Sequence, residues 1–294
     1  MLNPVFRKDM RVFFRNIKVY IGMVIYLIIL TFITKITLNS FISSYNVGFN
    51  PEMVMTSYLV MIGFQMLAIT FVVPAFTSSS ISGEIERQTL DFLLITRMTS
   101  WDIVFGKLLS SIMLVCLMIV SSMPIFAVVF YYGGISIWGF IFNTIFLIIY
   151  SAFIGSVAIL FSTMLKKTVA ATAVSNLFVL GLSVGTITAV VFIAGIANYY
   201  ISDSDIGELI LGIVCMAILS FNPIVSFMSI IDTQRGSSVV WDGIGSMMDI
   251  DINLPFIQVW HIMAAMYLVA SYLILKLAAK NIRPAMRVKY KKNK

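Results

Sequence analysis

Long stretches without a charged residue occupy most of this 294-residue chain. A helix needs about 20 consecutive apolar residues to cross the hydrocarbon core of a membrane. Six stretches approach or exceed this length, at 19–34, 53–83, 108–165, 168–202, 209–231 and 252–275. Hydrophobic residues make up 60% of the chain and the mean hydropathy is +1.00, which is incompatible with a soluble protein of this size. The sequence predicts an all-α membrane protein without a large soluble catalytic domain.

The number of spans follows from where the chain breaks and where its charges lie. Stretch 108–165 is long enough for two spans, with a natural break at Tyr131-Tyr132-Gly133-Gly134. Eighteen of the 20 Lys and Arg residues fall in four groups, at 7–18, 87–107, 166–167 and 276–294. The positive-inside rule places all four groups in the cytoplasm, which requires an even number of crossings. We therefore expect six spans with cytoplasmic N- and C-termini and a basic cytoplasmic tail at 276–294.

Stretch 209–231 then has to enter and leave the membrane on the outer side. Asn222 and Pro223 lie near its middle, where a proline interrupts a helix and disfavours helical geometry in the residue before it. The sequence predicts an outer re-entrant hairpin with its tip at these two residues. The surrounding outer segment, residues 203–251, is acidic, which agrees weakly with this placement.

The N-terminal 18 residues have the pattern of an amphipathic helix lying on the membrane surface. Asn3 is a candidate cap and Pro4 suits the first helical position. Apolar and basic residues then recur at helical spacing on two faces: Phe6, Met10, Phe13, Phe14 and Ile17 against Arg7, Lys8, Arg11, Arg15 and Lys18. This helix either anchors the chain on anionic lipid or docks a partner.

The segment 82–102 between spans two and three is the most informative part of the chain. On a helix, three leucines would share one face and four polar residues another: Leu90, Leu93 and Leu94, and Glu84, Arg87, Gln88 and Asp91. Thr99 and Asp102 then form a Thr-x-x-Asp capping pattern, which predicts the start of the next helix. The expected arrangement is helix, sharp turn, helix at the cytoplasmic surface.

This segment resembles the intracellular coupling region of ABC-2 type transporter permeases, and we name residues 82–102 the coupling region. The residues that match the pattern of that family are Glu84, Glu86, Thr89, Leu90, Leu93, Leu94, Thr96, Ser100, Ile103, Gly106 and Lys107. Asp91 stands for the usual Glu, Gln88 for a commoner Gly or Lys, and Arg97 for a Pro that often ends the first helix. The six spans, basic amphipathic N-terminus and outer re-entrant segment also resemble the layout of the family.

The resemblance implies a single permease domain over residues 1–294 that pairs as a homo- or heterodimer, exports a substrate and lies in a bacterial inner membrane. It further implies that a coupling helix docks on a separate ATP-binding subunit. The candidate ATPase-coupling residues are Glu84, Glu86, Arg87, Asp91 and Arg97. The sequence has no phosphate-binding loop, so ATP and Mg are expected on the partner and no cofactor in this chain. A solvated helix on the membrane surface remains an alternative for the coupling region.

Other motifs carry less information. Gly181 and Gly185 form a Gly-x-x-x-Gly pair, and Ser151 and Gly155 a second small-residue pair, which pack helices within the monomer or at a permease dimer face. No metal-binding or disulfide spacing connects Cys116, Cys215 and His261, so we expect no metal site. We also expect no nucleic acid partner. An ion-coupled secondary carrier remains the alternative function, whereas no motif supports a membrane enzyme.

Overall fold

The computed structural model describes residues 4–44, 51–89, 99–132, 136–200, 214–215, 218–219, 221–235 and 259–292. Within these ranges every regular element is helical. The helices are α1 (Pro4–Arg15), α2 (Ile17–Ser44), α3 (Pro51–Glu86), α4 (Ser100–Tyr131), α5 (Ile137–Met164), α6 (Thr168–Leu180), α7 (Thr186–Tyr200), α8 (Pro223–Arg235) and α9 (Val259–Lys292). A five-residue π-helical turn, Gly181–Gly185, joins α6 to α7, and we name it the π segment.

Six helical stretches in the described part of the chain are long and apolar enough to cross a membrane. They are Ile17–Asn39, Val54–Glu86, Ser100–Tyr131, Ile137–Met164, Thr168–Ile193 and Trp260–Ile282. This agrees with the predicted number of spans, and α4 ends at Tyr131, where the sequence predicts the break. The shorter apolar helix Pro223–Asp232 falls in the stretch that the charge pattern sets apart from the spans. The cytoplasmic placement of the termini stays a prediction.

The chain forms two compact units. The first unit comprises Met1–Ile135, Leu147–Asn176 and Ala270–Lys294, and the second comprises Ser136–Phe146 and Leu177–Val269. One apolar core of the first unit joins α3, α4, α5 and the C-terminal half of α9; its buried residues are Ile81, Val104, Leu108, Ile159, Leu275, Ala278, Ala279 and Ile282. This core lies directly beneath both ends of the coupling region, because Ile81 precedes it and Val104 follows it.

Close helix approach in the first unit depends on small residues of α5. A Cβ atom added to Gly155 would lie 3.0 Å from Leu108 Cδ1 and 3.0 Å from Ser111 Oγ of α4, so only glycine fits there without a shift. Ser162 Oγ accepts hydrogen bonds from the backbone N–H groups of Ile81 (3.2 Å) and Ser82 (2.8 Å) in α3. The small-residue pattern of this span therefore packs helices within the monomer.

In the second unit, aromatic and hydroxyl side chains connect α5, α8 and α9. The Phe142 and Trp260 rings lie 5.7 Å apart, and those of Phe146 and Tyr267 6.3 Å apart. Ser229 Oγ accepts a hydrogen bond from the Trp260 backbone N–H at 3.2 Å. The short helix α8 is thereby held against the first turns of α9.

Candidate functional site at the coupling region

The coupling region begins and ends beside a buried ionic cluster, formed by Asp9, Glu84 and Lys107. Lys107 Nζ lies 3.0 Å from Asp9 Oδ2 and 2.9 Å from Glu84 Oε1. The side chains are 5% exposed for Lys107, 20% for Asp9 and 13% for Glu84. Lys8 lies 3.6 Å from the same Glu84 oxygen, but its side chain is 56% exposed. The cluster therefore joins the surface helix α1 to the last turn of α3 and the first turns of α4.

The contribution of this cluster to stability depends on how deeply its charges are buried. Taking charges out of water is costly, and their mutual attraction offsets that cost only when each charge is paired at close range. Lys107 meets this condition because three carboxylate oxygens surround its ammonium group, at 2.9, 3.0 and 3.2 Å. Removal of Lys107 would leave two largely buried carboxylates without their shared cation, whereas removal of either carboxylate leaves Lys107 paired with the other. The cluster consequently favours a single arrangement of α1, α3 and α4 at the base of the coupling region.

Glu86 makes a second connection, to the start of α6. Its carboxylate accepts hydrogen bonds from the Thr168 backbone N–H and the Thr168 hydroxyl, both at 3.0 Å. A carboxylate is favourable at a helix N-terminus, where backbone N–H groups lack partners and the helix dipole is positive. Ser78, which lies one helical turn before Ser82 in α3, also contacts α6. Its Oγ lies 2.6 Å from Thr172 Oγ1. The end of α3 is thus bound to α6 as well as to α1, α4 and α5.

Helix α3 ends at Glu86 in a Schellman motif. The Gln88 N–H donates to the Ile85 carbonyl at 3.1 Å, and the Thr89 N–H donates to the Glu84 carbonyl at 2.9 Å. Gln88 adopts φ 57°, a left-handed conformation that favours glycine. The sequence predicts that Glu84, Arg87, Gln88 and Asp91 share one face of a continuous helix, and this prediction is wrong. The helix ends at Glu86, and the left-handed conformation of Gln88 changes the direction of the chain.

The second helix of the coupling region starts as the sequence predicts. The Asp102 backbone N–H donates to Thr99 Oγ1 at 3.2 Å, and the Thr99 backbone N–H donates to Asp102 Oδ2 at 3.0 Å. These reciprocal bonds form a capping box at the first turn of α4. The Trp101 ring lies 5.7 Å from that of Tyr272 in α9, which fixes the first turn of α4 against the core of the first unit.

The structure divides the candidate ATPase-coupling residues into groups. Glu84 and Glu86 are both engaged within the chain, with Lys107 and Thr168 respectively. Arg87 is exposed immediately after the end of α3. Asp91 and Arg97 lie outside the described residues. No structural observation bears on their contact with a partner, so this role stays a prediction for all five.

Sequence reasoning missed Asp9, which contributes to the ionic cluster. The signal was present: Asp9 is the only acidic residue among the first 51 and lies within a strongly basic helix. A single carboxylate among basic residues is a candidate for a specific ion pair. Lys107 was matched to the family pattern, but its burial between two carboxylates depends on how α1 packs on α4, which local patterns do not reveal.

A second polar constellation lies in the second unit, around Asn222 and Pro223. Asn222 is fully buried, and its Oδ1 accepts hydrogen bonds from the backbone N–H groups of Ile224 (2.7 Å) and Val225 (3.2 Å). It therefore caps α8, with Pro223 at the first helical position. Its Nδ2 donates to the Ser183 carbonyl of the π segment at 2.7 Å and to Thr186 Oγ1 at 2.6 Å. The break before Pro223 agrees with the sequence, whereas its position as a re-entrant tip remains a prediction.

Gly181 and Gly185 open and close the π segment. Nothing lies within 4 Å of a Cβ atom added to either glycine, so these residues make no close helix contact in the described part of the chain. This contrasts with Gly155, where α4 fills the equivalent space. The expected packing of this pair within the monomer is not observed, and the alternative of a permease dimer face stays a prediction.

Comparison with known proteins adds one finding to this geometry. The family model described as ABC-2 family transporter protein matches residues 4–278 of the chain. The match begins with α1 and ends within α9, so it includes the ionic cluster, the coupling region and the Asn222 constellation. No curated protein matches the chain.

Proposed function

Because this multi-pass membrane chain belongs to the ABC-2 transporter family and is an ABC transporter permease, we propose that it exports its substrate with energy from a separate ATP-binding subunit. One observation carries the proposal. Both ends of the coupling region meet at one buried ionic cluster, since Glu84 lies near its start and Lys107 lies five residues beyond its end. A force applied to residues 82–102 would therefore reach α1, α3 and α4 together.

The five candidate coupling residues have two roles in this proposal. Arg87, Asp91 and Arg97 contact the ATPase directly. Glu84 and Glu86 transmit the movement, because their carboxylates connect the end of α3 to Lys107 and to the start of α6. A lever has to be stiff at its base, and the capping box at Thr99 and Asp102 stiffens the other end.

The remaining parts of the assembly follow from the same proposal. The partner ATPase binds ATP and Mg, and this chain binds neither. A second permease subunit, identical or related, packs on the open side of the π segment, where Gly181 and Gly185 leave space. The termini and the coupling region lie in the cytoplasm of a bacterial cell, with Asn222 and Pro223 at the tip of an outer re-entrant hairpin. No nucleic acid takes part.

Copurification from the native membrane tests the ATPase partner. We expect a Walker-motif ATPase to copurify with the wild-type chain in mild detergent and to be lost from Arg87→Glu, which reverses an exposed charge without touching the ionic cluster. Lys35→Glu is the matched control, because Lys35 is exposed at the far end of α2 and should not affect copurification. Loss of the ATPase from both variants, or from neither, would contradict the contact at Arg87.

Transport by the isolated chain separates the two candidate functions. In proteoliposomes without any ATPase, we expect no transport under a proton or sodium gradient. Gradient-driven transport by the chain alone would instead establish the ion-coupled secondary carrier and overturn the proposed dependence on ATP.

A further inference from the structure

A cavity of about 240 Å³ lies between α2, α3 and α4 in the first unit. Helix α2 contributes Val19, Gly22, Tyr26 and Ile29 to its wall, and α3 contributes Phe64 and Phe76. Apart from the Tyr26 hydroxyl, the lining side chains are apolar. Gly22 is exposed and nothing lies within 4 Å of a Cβ atom added there, so the cavity opens sideways at this glycine. We name it the α2–α3 cavity.

The length of the cavity matches one leaflet of a membrane. Val19 and Ile29 are ten residues apart on α2, which corresponds to about 15 Å along a helix. The candidate span of this helix is Ile17–Asn39, so the cavity runs from near the N-terminal end of that span to about its middle. The hydrocarbon core of a bilayer is about 30 Å thick, and half of it corresponds to this length. The Tyr26 ring stacks on that of Phe64, with 6.1 Å between centroids, and this pair lines the deeper half.

Two basic residues, Arg15 and Lys18, precede the shallow end of the cavity at Val19 in the chain. The Phe13 ring of α1 lies 6.4 Å from that of Phe76, which places α1 against this end. Arg15 and Lys18 are exposed beside the connection from α1 to α2. That connection is held by two hydrogen bonds, from the Lys18 N–H to Asn16 Oδ1 (3.1 Å) and from the Tyr20 hydroxyl to the Phe14 carbonyl (2.8 Å). The backbone that carries these two basic residues is thus held next to Val19, at the shallow end of the cavity.

We propose that the α2–α3 cavity binds one acyl chain of an anionic phospholipid, whose head group contacts Arg15 and Lys18. Charge complementarity selects the head group, because each Lys or Arg near an anionic surface adds to the attraction. The apolar walls and the single-leaflet length select the chain. The site rests on the membrane location of α2 to α4 and is independent of ATP-driven export.

Native mass spectrometry of the delipidated chain, titrated with phosphatidylglycerol or phosphatidylcholine, tests the site. We expect one phosphatidylglycerol to bind at least about tenfold more tightly than phosphatidylcholine, as two surface charges imply. Gly22→Phe should abolish this binding by filling the opening. Gly195→Phe is the matched control, because Gly195 is equally open and lies on α7, outside the cavity. Equal binding of both lipids, or full binding by Gly22→Phe, would overturn the proposal.

Substitution of the two basic residues gives a second test, which does not alter the packing around the cavity. The double variant Arg15→Gln, Lys18→Gln should weaken phosphatidylglycerol binding about 25-fold, or about fivefold for each charge, and leave phosphatidylcholine unchanged. Lys35→Gln, which lies in the C-terminal half of α2 and away from the cavity, should have no effect. If Lys35→Gln weakens binding as much as the double variant does, the attraction is a general effect of net charge and the assigned head-group site is wrong.

Discussion

The ionic cluster and the Asn222 constellation hold helices together by different means. Three charged side chains hold the base of the coupling region, whereas one neutral amide joins α8 to the π segment. Buried charges tolerate no loss of a partner, because the charge left behind cannot be solvated. Removal of a neutral amide leaves its buried hydrogen-bond partners unsatisfied, which costs less than leaving a buried charge unpaired. We therefore expect substitutions at the ionic cluster to lower the free energy of unfolding more than substitutions at Asn222 do.

Lys107→Met gives the largest expected effect. It leaves Asp9 and Glu84 close together with only the exposed Lys8 beside Glu84, and we expect a loss of about 3 kcal/mol in the free energy of unfolding. Thermal unfolding in detergent measures this change. Lys8→Met is the control; because Lys8 is more than half exposed, its loss should cost less than about 1 kcal/mol. Equal effects of the two variants would contradict the assigned role of burial.

The double variant Glu84→Gln, Lys107→Met sharpens this result. It removes one of the two opposing negative charges, so we expect it to be less destabilised than Lys107→Met alone. The same unfolding measurement gives the coupling between the two residues. A double variant with the summed loss of both single variants would show that Glu84 and Lys107 act independently.

Asn222→Ala should produce the next largest loss, about 2 to 3 kcal/mol, because it removes a helix cap and leaves buried polar groups unsatisfied. Asn222→Asp separates these contributions, since aspartate keeps the cap but cannot donate to the Ser183 carbonyl. We expect Asn222→Asp to be at least as destabilised as Asn222→Ala. Wild-type stability of the aspartate variant would mean that the bond to the π segment contributes nothing.

Gly139→Ala examines a looser contact in the second unit. The added Cβ atom would lie 2.8 Å from Gln234 Cδ, and Gln234 Nε2 donates to the Gly139 carbonyl at 3.0 Å. A flexible side chain can move aside, so we expect only the loss of this hydrogen bond, about 1 kcal/mol. Gly181→Ala, with open space around it, is the control and should not destabilise the chain. Both are read from thermal unfolding.

Gln88→Gly should produce the only gain in stability among these variants. Glycine adopts the left-handed conformation of Gln88 without strain, and we expect stabilisation of about 1 kcal/mol. Gln88→Val should destabilise, because a β-branched residue is disfavoured at positive φ. A gain from valine, measured in the same unfolding assay, would show that α3 does not end in the Schellman motif.

The features predicted correctly from the sequence are those set by local patterns. Apolar length located the candidate spans, and the Thr99 and Asp102 spacing predicted the capping box at the start of α4. Both depend on residues within a few turns of one another, whereas the number six also required the distribution of Lys and Arg along the chain. The predicted continuous face from Glu84 to Asp91 failed for a related reason. Helical spacing alone does not show that Gln88 adopts a left-handed conformation.

By itself, the sequence determined that the chain is a helical membrane protein and pointed to its family, because hydrophobic length and a contiguous motif are local properties. Tertiary structure alone decided that Asp9 pairs with Lys107, that Glu86 binds Thr168, and that Asn222 reaches the π segment. These partners are separated by at least 36 residues along the chain. Such pairs form only where packed helices bring complementary polar groups together; for the buried pairs, an apolar environment also disfavours any arrangement that leaves them unpaired.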